Sequence, residues 1–351
     1  MIIDYIRNTE TVLEEINMNR WFGLIVSLLI LIGVLAGCAG TPAENAPSPN
    51  EANVHEREQP GGASRAEADE AKTGAWPRTI TDAAGHEVVL KDKPERIAVL
   101  HPLYLDYFFA LNTPPIASSS AVSAMEEFAT LRPYAGTAEI ADLGSGRDLN
   151  LEAIIASNPD VIVTFKGHVD ANYEELSKIA PVIQIDYSDT WENATMICAQ
   201  IVGKEELAER VIKETKEMIE KTKERLGDLK NNSFALLRVD GKANFTAQGT
   251  KNTMYYNETA GFGLLAPDGY PEDSAVLSLE ALSEMNPDYI IIQHVVDIAK
   301  AAVQEKESSA VWQSLKSVKN NHVLFFDNSL NTGSVLAIRL AAENFMELAG
   351  K

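Results

Sequence analysis

The chain has 351 residues, and 45% of them are hydrophobic, which is enough apolar material for large buried cores. It carries 30 Lys and Arg residues against 51 Asp and Glu residues, so its net charge is -21. This balance argues against nucleic acid as a partner, because phosphate recognition needs a basic surface. The two cysteines predict no disulfide framework.

The N-terminal region contains an almost uninterrupted apolar run, Trp21–Gly37. A run of this kind that ends in small residues is typical of a secretory signal, although a membrane-spanning anchor of about 20 residues is the alternative. The four residues Leu35–Cys38 resemble a bacterial lipobox, in which the chain is cut before a cysteine whose thiol then carries a lipid. We therefore predict a lipoprotein signal over residues 1–37, with Met18 as an alternative start, and lipidation of Cys38.

Residues 38–75 are rich in Ala, Glu, Pro, Asn and Gly and contain few large apolar side chains. Such a composition offers little burial to offset the entropy lost on ordering, so this segment is predicted to be a flexible tether. The second cysteine, Cys198, lies in a helical pattern and is predicted to be a small core residue.

The first elements of the folded region are short. Alternating apolar residues over Arg78–Leu90 flank a turn sequence at Asp82–Gly85 and predict a β-hairpin. The apolar run Arg96–Leu100 predicts a strand, and a helical pattern follows over Leu103–Leu111.

Two segments 128 residues apart, Leu151–Val163 and Leu279–Ile291, are identical at seven of thirteen positions. In each, a good N-cap residue (Asn150 or Ser278) precedes a short helical pattern, Asn-Pro-Asp ends it, and a strand-forming run follows. Runs as continuously apolar as Val161–Phe165 and Tyr289–Gln293 favour strands with helices on both faces. We therefore predict two α/β lobes of one plan, each with a mainly parallel sheet.

A helical pattern rich in Glu, Lys, Ala and Leu covers Lys204–Leu229. At about 1.5 Å per residue it would be roughly 38 Å long, so it could join the lobes as a stiff spine. A coiled-coil partner helix is the alternative, but fewer than four clean heptads make it the weaker one. The predicted division is residues 76–195 for the N-terminal lobe, 196–230 for the spine and 231–351 for the C-terminal lobe.

Several motifs in this order resemble the substrate-binding lipoproteins of ABC importers for ferric siderophores, haem and cobalamin, whose two Rossmann-like lobes are joined by one long helix. The resemblance spans about residues 78–351. It rests on the following segments: Arg78–Asp82 with Gly85, Lys93–Arg96, Asp142–Gly144 before Asn150–Glu152, Asn158–Asp160, Ile179–Pro181, Ser278–Glu280, and Pro287–Asp288.

The resemblance implies a binding protein that captures a ferric siderophore and delivers it to an ABC-importer permease dimer, without catalysis or a covalent cofactor. It also gives the repeat a role, since one surface Glu on each lobe of such proteins meets an Arg pocket of the permease; the matching residues are Glu152 and Glu280. The alternative is that each Glu only stabilises its helix by about 0.3–1 kcal/mol through the macrodipole.

Ligand-binding residues are expected at the carboxyl ends of the strands, where open α/β sheets form their crevice. The candidates are His101, Tyr104, Arg147, Lys166, His168, Arg238, Tyr255, His294 and Asn331. Arg and Lys suit the anionic oxygens of ferric chelates, and a ligand Arg commonly occupies the place of Arg238 in the siderophore branch. The resemblance places an Arg one position before Arg147, where this chain has Gly146. For Tyr255, the alternative to ligand contact is packing against Gly261–Gly263.

Free metal, haem or cobalamin binding and an enzyme are the alternatives to this function. His101, His168 and His294 each follow a strand and could together hold free zinc or manganese, and haem or cobalamin also stays open as the ligand. An enzyme is not indicated, because the chain has no P-loop, dinucleotide-binding fingerprint, nucleophile elbow or metal-hydrolase motif. We expect a monomer that is lipid-anchored on the outer face of the cytoplasmic membrane, at the cell surface of a Gram-positive bacterium.

Overall fold

The computed structural model describes residues 76–146, 148–240 and 244–350, which belong to one compact unit, Lys72–Lys351. The lipoprotein signal, Cys38, the tether and Arg147 therefore lie outside the described residues. Among the described helices, none combines the length and the apolar character needed to cross a membrane.

An antiparallel hairpin opens the described chain and confirms the prediction for this segment. Strands β1 and β2 are Arg78–Thr81 and Glu87–Leu90, with Thr79 opposite Val89. The turn is held by the Asp82 side chain, which accepts hydrogen bonds from the backbone of Ala84 and His86.

The first lobe contains a fully parallel five-stranded sheet with the order β5-β4-β3-β6-β7. Its strands are β3 Ile97–Val99, β4 Ala117–Ser118, β5 Ala141–Asp142, β6 Val161–Phe165 and β7 Val182–Ile185. Its helices are α1 Leu103–Ala110, α2 Ala121–Glu127, α3 Leu151–Ser157 and α4 Tyr173–Ile179. Residues Val161, Ile162 and Val163 are fully buried, as expected of a strand covered on both faces.

The second lobe contains a mixed five-stranded sheet with the order β10-β9-β8-β11-β12. Its strands are β8 Phe234–Val239, β9 Phe245–Ala247, β10 Ala275–Leu277, β11 Tyr289–Gln293 and β12 Val323–Phe326. The pairs of β8 and β12 with β11 are parallel, whereas β9 and β10 are antiparallel additions at one edge. The predicted α/β class with two mainly parallel sheets is confirmed.

The repeated segments fold alike in the two lobes. The Asn150 and Ser278 side chains accept hydrogen bonds from Ala153 N and Ala281 N, so both are the predicted N-caps of α3 and of α7, Leu279–Met285. Each helix ends at an Asn in the left-handed region, Asn158 with φ 47° and Asn286 with φ 42°. Asn adopts this conformation more readily than most residues, which explains why the same residue ends both helices.

The connection between the sheets consists of helices α5 and α6, Trp191–Val202 and Glu205–Leu226. Helix α6 has 22 residues, so it is about 33 Å long and slightly shorter than predicted. Its buried positions include Ala208, Val211, Thr215 and Ile219, which recur every three or four residues along one face. Because α5 begins at Trp191, the helical connection starts before the predicted boundary at residue 196. Cys198 is fully buried in α5, as predicted.

The remaining helices are α8 Val296–Lys306, α9 Ala310–Ser314, α10 Lys316–Lys319 and α11 Val335–Leu348. The C-terminal helix α11 packs against both the spine α6 and the first-lobe helix α1. The Arg339 guanidinium of α11 donates to two groups of the spine, Thr215 Oγ1 at 2.7 Å and the Val211 carbonyl at 3.2 Å. The lobes are therefore held by α11 as well as by the chain connection.

A buried carboxylate, Asp106 of α1, lies where the lobes meet. It accepts hydrogen bonds from Thr130 Oγ1 at 2.9 Å and, from the second lobe, from the hydroxyls of Thr332 and Ser334. Beside it, Asp327 of the second lobe accepts from Ala129 N at 3.0 Å. Burial raises the pKa of Asp106 from 3.8 to about 7, although the hydrogen bonds from Ser334 and Thr130 oppose the rise.

Replacing this carboxylate should weaken the junction of the lobes. We expect Asp106→Ala to lower the free energy of unfolding by about 2–4 kcal/mol, because it leaves buried hydroxyls without their acceptor. Urea denaturation measures the change. Asp186→Ala is the control, since the partly buried Asp186 carboxylate accepts its described hydrogen bonds from nearby Ser188, and it should cost much less. Equal losses in the two variants would contradict a special role for Asp106.

Candidate functional site

Four rings meet at the carboxyl ends of three first-lobe strands. His101 follows β3, Phe165 and His168 come at the end of β6, and Tyr187 follows β7. The Phe165 and His168 rings are stacked, with centroids 4.5 Å apart and planes 6° from parallel. The Phe165 ring also makes edge contacts with His101 at 5.4 Å and with Tyr187 at 5.5 Å. We call these four residues the ring cluster.

The second lobe presents a cation at the corresponding strand ends. Arg238 lies near the end of β8, and its Nη2 donates to Asn328 Oδ1 at 3.2 Å. Asn328 follows β12, and His294 follows β11. These strands are parallel neighbours around β11, so their carboxyl ends bring the three side chains to one edge of the sheet.

The two sets of residues interact electrostatically across the lobes. Desolvation raises the pKa of the Tyr187 phenol, and the positive charge of Arg238 opposes this rise. The Tyr187 ring also makes an edge contact with His101, at a centroid distance of 6.4 Å. The Arg238 charge therefore lies near enough to the ring cluster to act on Tyr187.

Two histidines of the site are held neutral at neutral pH. Burial and, to a smaller extent, the neighbouring His168 lower the pKa of His101 from 6.5 to about 4. Burial and the nearby Arg238 charge lower the pKa of His294 to about 4. Neither imidazole therefore adds positive charge to the site at neutral pH.

His168 has a positioning role in the first lobe. Its Nε2 donates to the Gly146 carbonyl at 2.5 Å, because a carbonyl can only accept, and its Nδ1 lies 2.7 Å from Thr164 Oγ1. A Cβ atom at Gly146 would lie 3.2 Å from the Leu100 carbonyl oxygen, which is a tight contact. This close approach gives a physical reason for glycine at this position.

The described residues contain no group of three or more His, Cys, Asp or Glu side chains placed to hold a metal ion. His101, His168 and His294 are thus not brought together as a metal site. Their ring nitrogens take part in local contacts instead, since His101 Nδ1 accepts from Leu103 N and His294 Nδ1 accepts from Val295 N.

Two of the predicted ligand residues are core residues. The Tyr104 side chain is only 1% exposed and its ring packs near Tyr107. Tyr255 is 3% exposed, and its ring contacts Phe262 and Phe345 at centroid distances of 5.7 and 5.4 Å. The prediction that these two rings contact ligand is therefore corrected, because both residues are buried in the core. For Tyr255, the predicted alternative of packing at Gly261–Gly263 agrees with its contact with Phe262.

The other predicted residues lie at or near the site. Lys166 is exposed directly after β6, and its charge acts on Asp186, which follows β7. Asn331 is exposed in the short helical turn Asn328–Thr332, but Asn328 is the residue of this turn that bonds Arg238. Glu152 and Glu280 are exposed in the first turns of α3 and α7.

Sequence reasoning missed Phe165, Tyr187 and Asn328 as site residues. The sequence does contain a signal for Tyr187, because this residue comes two positions after the apolar run Val182–Ile185. Residues just after a strand lie at its carboxyl end, where open α/β sheets bind their ligands. For Asn328 the sequence offers no clear signal, because β12 is not among the predicted strands and its carboxyl end is therefore not located.

A family model described as periplasmic binding protein matches residues 97–330, which includes both sheets and the connecting helices. The chain belongs to the periplasmic binding protein family. One relative in Bacillus subtilis (strain 168) is the iron-uptake system-binding protein, which is 30% identical to this chain over 51% of this chain. The match covers 59% of that relative, so this chain spans less than two thirds of the relative's length. The Fe(3+)-citrate-binding protein YfmC of the same organism is 26% identical over 70% of this chain and 77% of that protein.

A solved periplasmic binding protein has the same fold. The crystal structure of the triscatecholate siderophore binding protein FeuA from Bacillus subtilis, complexed with ferri-bacillibactin, superimposes with a TM-score of 0.64 at 23% identity. The match covers 78% of this chain and 98% of FeuA. The site of this periplasmic binding protein is thus carried by a fold shared over nearly the whole described region.

The neutral state of His101 predicts a pH effect on stability. The unfolded chain takes up a proton on this imidazole below about pH 6.5, whereas the folded protein does so only near pH 4. This group therefore makes the fold less stable as the pH falls through that window. Between about pH 7 and 5 this imidazole should lower the free energy of unfolding of the wild type by about 2 kcal/mol. The His101→Asn variant should not show this loss. Urea denaturation at several pH values checks this.

Asp106→Asn is the matched control of opposite sign. The folded pKa of Asp106, about 7, lies above its unfolded value of 3.8, so this group adds stability as the pH falls through the same window. The variant should therefore lose more stability on acidification than the wild type. If both variants keep the wild-type dependence on pH, the assigned protonation states are wrong.

Proposed function

We propose that this protein is the extracytoplasmic substrate-binding lipoprotein of an ABC importer, which captures a ferric siderophore and delivers it to its permease. The observation that carries the proposal is Arg238, which is held by Asn328 at the strand ends of one lobe and whose charge acts on Tyr187 of the ring cluster in the other. A guanidinium suits anionic chelate oxygens, and rings suit the apolar body of the ligand. The iron-related names of the relatives support the same ligand class.

The proposed role is capture and release without covalent chemistry. Arg238 is the main anion-binding group, with Lys166 of the first lobe and Asn331 of the second as further candidates. Arg147, which lies outside the described residues, is a further candidate from the sequence. Membership in a family of binding proteins supports this role rather than an enzyme.

The proposed partner is a permease dimer, and the proposed contacts to it are Glu152 and Glu280. They occupy equivalent positions in the repeated segments, and both side chains are exposed. Lipidated Cys38 would hold the protein at the outer face of the cytoplasmic membrane, and the tether after it would give the folded unit its reach.

Loss of the Arg238 side chain should weaken binding of the chelate. We expect Arg238→Ala to raise the dissociation constant for a ferric chelate about 10- to 100-fold, because charge-assisted hydrogen bonds contribute about 1.5–3 kcal/mol. Arg238→Lys should lose less, since it keeps the charge but not the planar fork. Tryptophan fluorescence quenching measures binding across ferric catecholate, hydroxamate and citrate chelates, haem, cobalamin, and free zinc or manganese.

Arg210→Ala is the control for this measurement, since Arg210 is an exposed residue of the spine α6. It should leave the dissociation constant unchanged. Unchanged affinity in Arg238→Ala would refute the assigned site, and a response to free metal alone would refute the siderophore function.

Docking predicts a different separation of effects. The double variant Glu152→Gln and Glu280→Gln should keep chelate affinity but lower cellular uptake of radioactive iron several-fold, because it removes the charges offered to the permease. Glu174→Gln with Glu284→Gln is the control, as both are exposed acidic residues on short helices, and it should leave uptake unchanged. If the two double variants transport iron equally well, the Glu pair acts only within its own helices.

A further inference from the structure

The ring cluster is built as a rigid unit rather than a loose set of side chains. Its inner layer is the stacked Phe165 and His168 pair, and His168 is fixed by contacts of both its ring nitrogens. His101 stands almost perpendicular to Phe165, at 84°, and its Nδ1 is fixed by Leu103 N. Rings held this firmly lose little entropy when a ligand packs on them.

The outer member of the cluster, Tyr187, is 59% exposed. It is among the few large apolar side chains that the described surface leaves this open. Tyr187 rests edge-on against Phe165 and His101, so one side of its ring is supported by the lobe. The Arg238 charge acts on Tyr187, so this exposed ring lies near the proposed anion-binding group.

Positive charge is sparse at this part of the site. The two imidazoles His101 and His294 are neutral at neutral pH. The Lys166 charge is partly balanced by the neighbouring Asp186, whose pKa is lowered by hydrogen bonds from Ser188 and by Lys166. Among the described side chains named here, the cations are thus Lys166 and Arg238, beside four rings at the strand ends of the first lobe.

We propose that the ring cluster is a stacking platform for an aromatic group of the ligand, so that the chelate captured by this protein carries aryl iron donors of the catecholate or phenolate class. An aryl ring stacks on or against Tyr187 in offset or edge-on geometry, and Arg238 pairs with the anionic oxygens on that ring. An aliphatic hydroxamate or citrate chelate would leave the exposed aromatic face without a matching surface. This inference rests on the proposed function, since it specifies the ligand of the same site.

The test is isothermal titration calorimetry of the full chain in detergent. The probes are a ferric tris-catecholate made from 2,3-dihydroxybenzoyl groups, ferric desferrioxamine B as the aliphatic hydroxamate, and ferric citrate. We expect the catecholate to bind most tightly. Tyr187→Leu, which keeps apolar bulk but removes the ring, should weaken catecholate binding about three- to ten-fold, whereas Tyr187→Phe should retain it.

Tyr173→Leu is the matched control. The Tyr173 ring is also stacked on a histidine, His86, at 4.1 Å, but it lies by the hairpin and outside the proposed site. It should leave the affinity unchanged. Tighter binding of the hydroxamate or citrate, or equal catecholate binding by the wild type and Tyr187→Leu, overturns the platform but leaves the proposed function standing. If no ferric chelate binds at all, the proposed function itself fails.

Discussion

Parallel strands of one sheet all end at the same edge, and the site of this protein depends on that constraint. In the first lobe it gathers four rings from β3, β6 and β7, which are far apart in the sequence. In the second lobe it gathers Arg238, His294 and Asn328 from β8, β11 and β12. Neither set requires a specialised loop fold, since strand order alone determines which side chains become neighbours.

The segment after β12 connects recognition with the joining of the lobes. Asn328 fixes the Arg238 guanidinium, the preceding Asp327 accepts from Ala129 N of the first lobe, and Ser334 donates to Asp106. One short stretch of chain thus holds both the main cation of the site and the buried polar junction. Asp106 itself is fully buried among hydroxyl groups, whereas Asp327 also pairs with the exposed Arg132 at 3.7 Å, a contact that salt can screen.

Prediction from the sequence succeeded where local patterns determine structure. The hairpin, both repeated helices with their N-caps and the two central strands were located because turn residues, capping residues and continuous apolar runs act within a few residues of each other. It failed for Tyr104 and Tyr255, because an aromatic residue near a strand end can point into the core as readily as into a cleft. Burial by Phe262 and Phe345, far along the chain from one another, decided the case of Tyr255.

The sequence by itself determined the α/β class, the two-lobed plan and the placement of Arg238 at a strand end, since repetition, apolar runs and strand boundaries are legible in the chain. Only the tertiary structure decided that Tyr187 and Phe165 join His101 and His168, that Asn328 rather than Asn331 holds Arg238, and that the three histidines form no metal site in the described residues. These are contacts between residues distant in the chain. Their existence depends on sheet order and side-chain direction, which no local pattern encodes.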